Sequence, residues 1–219
     1  MRFVRGYEAA VVKNFLIVAD LHLGFELELE RKGIYVPHAD LLFKKLRFLI
    51  EITKPNGLII LGDVKHMVRM PLEREIKIVR GFLRKLTELV PRVVIVKGNH
   101  DGKIEEICRE IKNLEIVEEL RFGGITLLHG HKKPERFTTL LMGHVHPLVF
   151  SFGEYEKAWI IASSGKRRIV VIPALSDLVG SPVSMNRKGL KDSSPVFRTI
   201  GIDKLALYSL EGEYLGELD

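Results

Sequence analysis

The chain has 219 residues, 46% of them hydrophobic and 28% charged, with a single cysteine and a formal net charge of +6. That length suits one domain, 1–219, with a full core; the lone thiol excludes an intrachain disulfide framework and cysteine-rich zinc sites, and no apolar run approaches the roughly 18 residues that cross a bilayer. The positive charge favours a polyanionic partner, while the lack of glutamine beside abundant Lys, Glu and Arg is a bias associated with high temperature.

Arg2 and Arg5 precede the apolar run AAVVKNFLIVA. Lys13 and Asn14 break that run, so it reads as two short strands joined by a turn at KN rather than as a secretion signal, and a cytoplasmic location is expected. Short β-branched runs then alternate with segments whose apolar residues recur at i, i+3, i+4 and i+7. In chain order these are FLIVAD, ADLLFKKLRFLIEIT, GLIILGD, PLEREIKIVRGFLRKLTEL and RVVIVKGNH, a β-α-β-α-β series. GKIEEICREIK predicts a further helix in which Cys108 shares a face with Ile104, Ile107 and Ile111, which makes it a packing residue. After about residue 120 the pattern turns to strands: GGITLLHG, TTLLMGHV, PLVFSFG, KAWIIA, RRIVVIPA and a closing hairpin KLALYSLEGEYLGEL. The predicted fold is α/β, a layered sandwich with mixed β-sheets flanked by helices. The stretch from Leu175 to Pro195, rich in Gly, Pro and Ser, is expected to be a long loop bordering the active site.

The first three strands each end in a polar cluster: ADLHLG, LGDVKH and KGNHDG. Ligands of open α/β sheets bind beyond the carboxyl ends of the strands, so Asp20, His22, Asp63, Asn99 and His100 are expected to converge. Two later strand ends, LLHGH and MGHVH, add His129, His144 and His146. Two carboxylates, one amide oxygen and four imidazoles form a mixed N/O set that suits Mn, Fe, Zn and similar ions. Seven such side chains exceed one tetrahedral zinc and match a pair of ions about 3.5–4 Å apart that share an aspartate.

Asp20-x-His22, Gly62-Asp63, Gly98-Asn99-His100-Asp101, His129 and Gly143-His144-x-His146 follow in order the motif set of the calcineurin-like metallophosphoesterases, which the chain resembles over about residues 17 to 147. The resemblance implies the metallophosphoesterase sandwich and two divalent ions, manganese foremost, with Fe, Zn, Ni and Co as alternatives. It implies Asp20, His22 and His146 on one ion, Asn99, His129 and His144 on the other, and Asp63 between them. His131, two residues past His129, is the alternative ligand there and otherwise faces substrate or solvent. His100 would protonate the leaving oxygen or stabilise the transition state, with Asp101 orienting its ring, roles that suit an imidazole titrating near neutrality. The implied reaction is metal-assisted hydrolysis without a covalent enzyme intermediate.

DLHLG at 20 to 24 is similar to the first motif of the double-strand-break repair nucleases of this superfamily, the Mre11 and SbcD group. His66, three residues beyond Asp63, stands where those nucleases carry a histidine implicated in handling the DNA end. No segment resembling their DNA-capping domain is found, and the whole chain looks similar to small archaeal-type ICC-like phosphoesterases. Lys65, His66, Arg69, His131 and Lys132 are the candidate substrate contacts; Lys132, Lys133 and Arg136 form one basic cluster, and Lys166, Arg167 and Arg168 another in a hairpin turn. His38, in YVPHAD, reads as a loop residue before a helix capped by Asp40 or a neighbour. The leading expectation is a phosphodiesterase that acts as a nuclease on DNA or RNA, and the alternative is a small-molecule phosphoesterase acting on nucleotides or other phosphodiesters. A non-catalytic scaffold ranks third, because no ligand and no motif histidine is missing. Beyond a phosphodiester substrate no partner is specified: no membrane is expected, and a homodimer is compatible with the chain.

Overall fold

The computed structural model describes residues 1–68, 71–151, 153–182 and 187–218. Strands β1 (Arg2–Phe3), β2 (Ala10–Val12) and β3 (Phe15–Ala19) open the chain, followed by helices α1 (Phe25–Arg31) and α2 (His38–Thr53), strand β4 (Gly57–Leu61), helix α3 (Glu73–Leu89), strand β5 (Val93–Val96), helix α4 (Ile104–Cys108) and strand β6 (Leu114–Val117). The second half holds β7 (Leu120–Phe122), β8 (Ile125–Leu128), β9 (Thr139–Met142), β10 (Pro147–Ser151), β11 (Glu154–Ser164), β12 (Arg167–Val171), β13 (Ser181–Pro182), helices α5 (Arg187–Ser193) and α6 (Pro195–Thr199), then β14 (Lys204–Ser209) and β15 (Tyr214–Glu217).

The KN turn forms as expected. Lys13 and Asn14 take φ values of 44° and 63°, the positive pair that a tight two-residue hairpin requires, and Val12 lies opposite Phe15. From β3 to β6 the strands stand side by side in chain order and run parallel. Right-handed crossovers between successive neighbours put every connecting helix on the same face. Strand alternation then divides the apolar residues between two layers. Leu16, Val18, Leu58, Ile60, Val93 and Ile95 meet Leu46 and Leu49 of α2, Val79 and Leu83 of α3 and Ile107 of α4. Ile17, Ala19, Ile59, Leu61, Val94 and Val96 meet Leu127, Leu141, Trp159 and Val170 of the second sheet. Burial on both faces is why these strands are unbroken apolar runs in sequence, each large side chain contributing about 1.5–3 kcal/mol.

Among the described residues the second sheet has nine strands, with β8, β9 and β12 parallel and most other pairs antiparallel. Its outer face, including Met142, Ile160 and Val171, is covered by Leu190 of α5 and Val196 and Phe197 of α6. The fold is thus mixed α/β, two mixed sheets face to face between helical layers. No helix among the described residues is long and apolar enough to cross a membrane.

Two local expectations need correction. The Leu175 to Pro195 stretch is not one loop: it contains β13 and α5 and ends in a cap, where Ser194 Oγ accepts from Val196 N with Pro195 in the first turn of α6. Its Ser and Pro are helix-start signals as well as loop signals, and residues 183–186 lie outside the described residues. His38 is no loop residue either; it opens α2 and is buried, with Pro37, not Asp40, at the cap position.

Cys108 packs with the helices as its spacing predicts and is 5% exposed. Burial above all, and then the charge of Asp101, push its thiol up to about 12. Since the thiolate is the nucleophile, the native protein should resist iodoacetamide at mildly alkaline pH, and intact mass should show one adduct only after unfolding in guanidinium chloride.

Candidate metal centre

Each motif sits where a strand stops. Asp20 and His22 follow β3, Asp63 follows β4, Asn99 and His100 follow β5, His129 follows β8, and His144 and His146 follow β9. Asp20, His22, Asp63, His144 and His146 all have positive φ, at 56°, 48°, 48°, 70° and 47°. A left-handed non-glycine residue costs of order 1 kcal/mol or more and persists only where surroundings over-determine it. Here main-chain bonds do so: Asp20 N donates to Gly62 O (3.2 Å), His22 N to Asp63 O (2.8 Å), and Gly143 N to His129 O (2.9 Å). The motif glycines make room. A Cβ at Gly62 would run into the His129 ring, at Gly98 into the Asp63 carboxylate, and at Gly143 into the Asp20 carboxylate.

Both carboxylates are shared between structure and site. Asp63 Oδ1 accepts His100 N (2.9 Å) and Asp20 Oδ2 accepts His144 N (3.0 Å). The remaining oxygens face imidazoles. Asp63 Oδ2 is 3.3 Å from His129 Nε2 and 3.7 Å from His22 Nε2, and Asp20 Oδ1 is 3.2 Å from His146 Nε2. Two groups of potential ligand atoms share Asp63, with Asp20, His22 and His146 in one and His129 and His144 in the other, and His22, His66 and His100 form a third beside them; the atoms of each lie within 4.8 Å of one another. Asn99 Oδ1 joins the second, 3.1 Å from His129 Nε2.

These groups fit divalent cations on three grounds. Asp20 Oδ1 is buried and has no hydrogen-bond partner, although a buried carboxylate oxygen demands one. His129 Nδ1 donates to Leu61 O (2.9 Å), which commits that nitrogen and leaves Nε2 as the atom that could ligate on losing its proton, the usual orientation of a ligating histidine. Burial, finally, pushes His22 down to about 3 and His144 down to about 4, helped in the second case by His129, so both imidazoles are neutral near pH 7, the form that can ligate. His129 moves the other way: burial lowers it, but Asp63 and Asp20 overcome that and raise it to about 9. Burial opposes ionisation of Asp20 and Asp63 too, yet His146 and His129 hold Asp20 below the carboxylate range, and His129, His100 and His22 do so for Asp63.

Of the other expected residues, His66 and His100 join His22 at the site, and the rest of those described lie outside these groups. His100 Nε2 lies 3.9 Å from Asp63 Oδ2 and its Nδ1 donates to His66 O. Asp101, expected to orient that ring, is fully buried and accepts instead from Val64 N (2.9 Å), Lys65 N (3.3 Å) and Gly98 N (2.9 Å). It staples the Asp63 loop to the Asn99 loop, and burial, then Asp63, raises it to about 6. His66 reaches the site, its Nδ1 3.4 Å from His22 Nδ1 and its Nε2 3.3 Å from Glu28 Oε2. Lys65 does not: it is wholly buried and donates to Met67 O, which leaves its ammonium no route to a substrate. Lys132 is exposed and paired with Glu118 (2.8 Å). His131 sits beside His129, ring centres 5.3 Å apart, outside both ligand groups, with its Nδ1 buried and unpartnered. Arg69 lies outside the described residues.

Sequence reasoning gives Glu75 no role and reads His38 as a loop residue away from the site. His38 Nε2 donates to Leu21 O (3.0 Å), between Asp20 and His22, with Ser176 Oγ 3.2 Å away. Glu75 had one signal, a charge one turn before Val79 on the apolar face of α3.

A site of buried carboxylates and imidazoles at the carboxyl ends of two facing sheets defines a metal-dependent hydrolase. A family model of the calcineurin-like phosphoesterases matches residues 13–192, and the chain belongs to that family. Its fold is shared with the nuclease MPE of Pseudomonas putida, with a TM-score of 0.62 and 21% identity over 91% of this chain and 86% of that one. YfcE, a phosphoesterase from E. coli, is similar at a TM-score of 0.47 and 18% identity, over 94% of this chain and 99% of that one. No curated protein sequence matches the chain.

Ligand binding only to the folded state should stabilise it. Mn²⁺ at about 100 times its Kd should add about 2.7 kcal/mol, a rise in Tm of roughly 5–10 °C for a chain this long. Asp63→Asn, which neutralises the carboxylate common to both groups, should remove most of that rise in a thermal-shift assay.

Proposed function

We propose that the protein is a two-metal phosphodiesterase that cleaves nucleic acid. The observation that carries this reading is that Asp63 belongs to both ligand groups, the arrangement a bridged pair of ions requires. Asp20, His22 and His146 would hold one ion and Asn99, His129 and His144 the other, with Mn²⁺ suited to this N/O set. When bound, the pair supplies Lewis-acid activation of the phosphoester and of the attacking water.

The protein's own groups supply the rest. His100 is part-exposed at the rim, and because its Nδ1 proton is held by His66 O, Nε2 is the atom that can pass a proton to the leaving oxygen. His66, in contact with His22 and Glu28, borders the same side and can meet the substrate. The net charge of +6 attracts a polyanion, and the fold is one on which a nuclease is known.

One observation favours a second reading, a small-molecule phosphodiesterase acting on nucleotides. Beside His66 and His100 lies a cavity of about 230 Å³ lined also by Leu27, Glu28, Arg31, Met67 and Leu72, suited to a single nucleoside.

End-labelled single- and double-stranded DNA, incubated with Mn²⁺, distinguishes the two. Cleavage by the wild type and its loss in Asp63→Asn is the expected result; turnover of a chromogenic phosphodiester with DNA intact would favour the second reading. His100→Ala should lower kcat by roughly 10²–10⁴-fold while elemental analysis still finds two ions per chain.

A further inference from the structure

Glu75 is wholly buried, on the same face of α3 as Val79, Phe82, Leu83 and Leu86. It is not among the ligand groups, and a carboxylate so placed needs a reason. Its Oε1 accepts two successive backbone donors, His66 N (3.0 Å) and Met67 N (2.8 Å), while Oε2 is buried with no partner. Leu23 O shares the first of these donors (2.9 Å). Lys65 closes the clamp from the other side, its ammonium donating to Met67 O. The peptides around His66 are therefore held by charged groups at donor and acceptor alike.

What that clamp presents is the His66 carbonyl, and the His66 carbonyl accepts His100 Nδ1. A carbonyl only accepts, so this bond places the proton on Nδ1 and turns Nε2 toward the site, 3.9 Å from Asp63 Oδ2. Asp101, adjacent in sequence, turns to a different task, its carboxylate accepting from three main-chain donors.

We propose that Glu75 is a positioning residue: by holding the His66–Met67 main chain it presents the carbonyl that fixes the tautomer and direction of the His100 ring. Its kinetic consequence rests on the phosphodiesterase reading above; its effect on the ring does not.

The test compares Glu75→Ala, Glu75→Gln and wild type. Gln keeps an acceptor oxygen at the same reach. In ¹⁵N-histidine spectra, with His100→Ala giving the assignment, the Nδ1–H form of His100 should be present in wild type and Glu75→Gln and lost to a tautomer mixture in Glu75→Ala. With Mn²⁺ bound, Glu75→Ala should lower kcat about 10–100-fold on a diester whose leaving group is a nucleoside, part of what a general acid supplies. KM and metal content should hold, and a p-nitrophenolate leaving group, which needs no proton, should be released nearly as fast as before. A purely structural role would slow both substrates alike. Equal losses on the two, an unchanged His100 tautomer in Glu75→Ala, or a Glu75→Gln variant that matches Glu75→Ala would overturn the proposal. Should Glu75→Ala not fold, Glu75→Asp, which keeps the charge but withdraws the oxygen by one methylene, carries the same expectations. A wild type that turns over neither substrate would remove the phosphodiesterase reading and leave the tautomer spectra to decide the role of Glu75.

Discussion

Asp20 and Asp63 lie buried within reach of the same imidazole, 3.5 Å and 3.3 Å from His129 nitrogens, and the rest of the site follows from the need to balance their charge. Burial opposes the ionisation of both, and Asp63 opposes that of Asp20. In a medium of low polarity such a pair stays ionised only with positive charge or strong donors close by. The protein commits one oxygen of each carboxylate to a backbone N–H from a neighbouring motif and leaves the other to face imidazoles. A proton on His129, held up at about 9 by the two aspartates, partly meets the need, and a divalent cation, when bound, would supply more positive charge in place of that proton.

The sheets deliver this constellation by repeating one device. Asp20-Leu21-His22 after β3 and His144-Val145-His146 after β9 share a conformation: the outer residues have positive φ, and Leu21 and Val145 between them are buried. One copy comes from each sheet, and they meet where His22 Nε2 and His146 Nε2 stand 3.5 Å apart and His144 N bonds Asp20 Oδ2. Five left-handed site residues carry strain of about 5 kcal/mol or more, comparable with the net stability of a small domain. The interlocking main-chain bonds and the sheet core must outweigh it.

Much of this was legible in sequence for a physical reason. Strands buried on both faces become apolar runs, and the polar residues that interrupt them mark strand ends, so the layered fold and the convergence of Asp20, His22, Asp63, Asn99, His129, His144 and His146 could be read together. Spacing was silent where a side chain bonds a remote peptide. Asp101 follows His100 and was set beside its ring, whereas it binds the main chain of residues 64, 65 and 98. Lys65 stands two residues from Asp63 and was placed against substrate, yet local sequence does not say which way a lysine turns. Pro37 before His38 and the Ser194-Pro195 pair at α6 show why such stretches are ambiguous, since Pro and Ser open helices as well as form loops.

The same blindness covers the contacts that hold the two sheets in register around the site. Glu8, in the turn between β1 and β2, is buried and receives Lys45 of α2 (2.9 Å) and Lys157 of β11 (2.7 Å) on one oxygen. Lys157 also donates to Ala174 O (2.9 Å), and both lysines reach Asp177. The segment they grip bonds back to the first motif, through Leu175 N to Ala19 O (2.8 Å) and Ser176 N to Asp20 O (3.2 Å). Exposed ion pairs contribute little, but this network is anchored on a buried carboxylate and ends on the main chain of Asp20. Its consequence is geometric: Asp20 is held from both sides, by Gly62 in its own sheet and by the 175–176 backbone that leads on from the other. A cluster of carboxylates and imidazoles drawn from two sheets needs those sheets to keep one spacing, and charges placed far from it in sequence maintain that spacing.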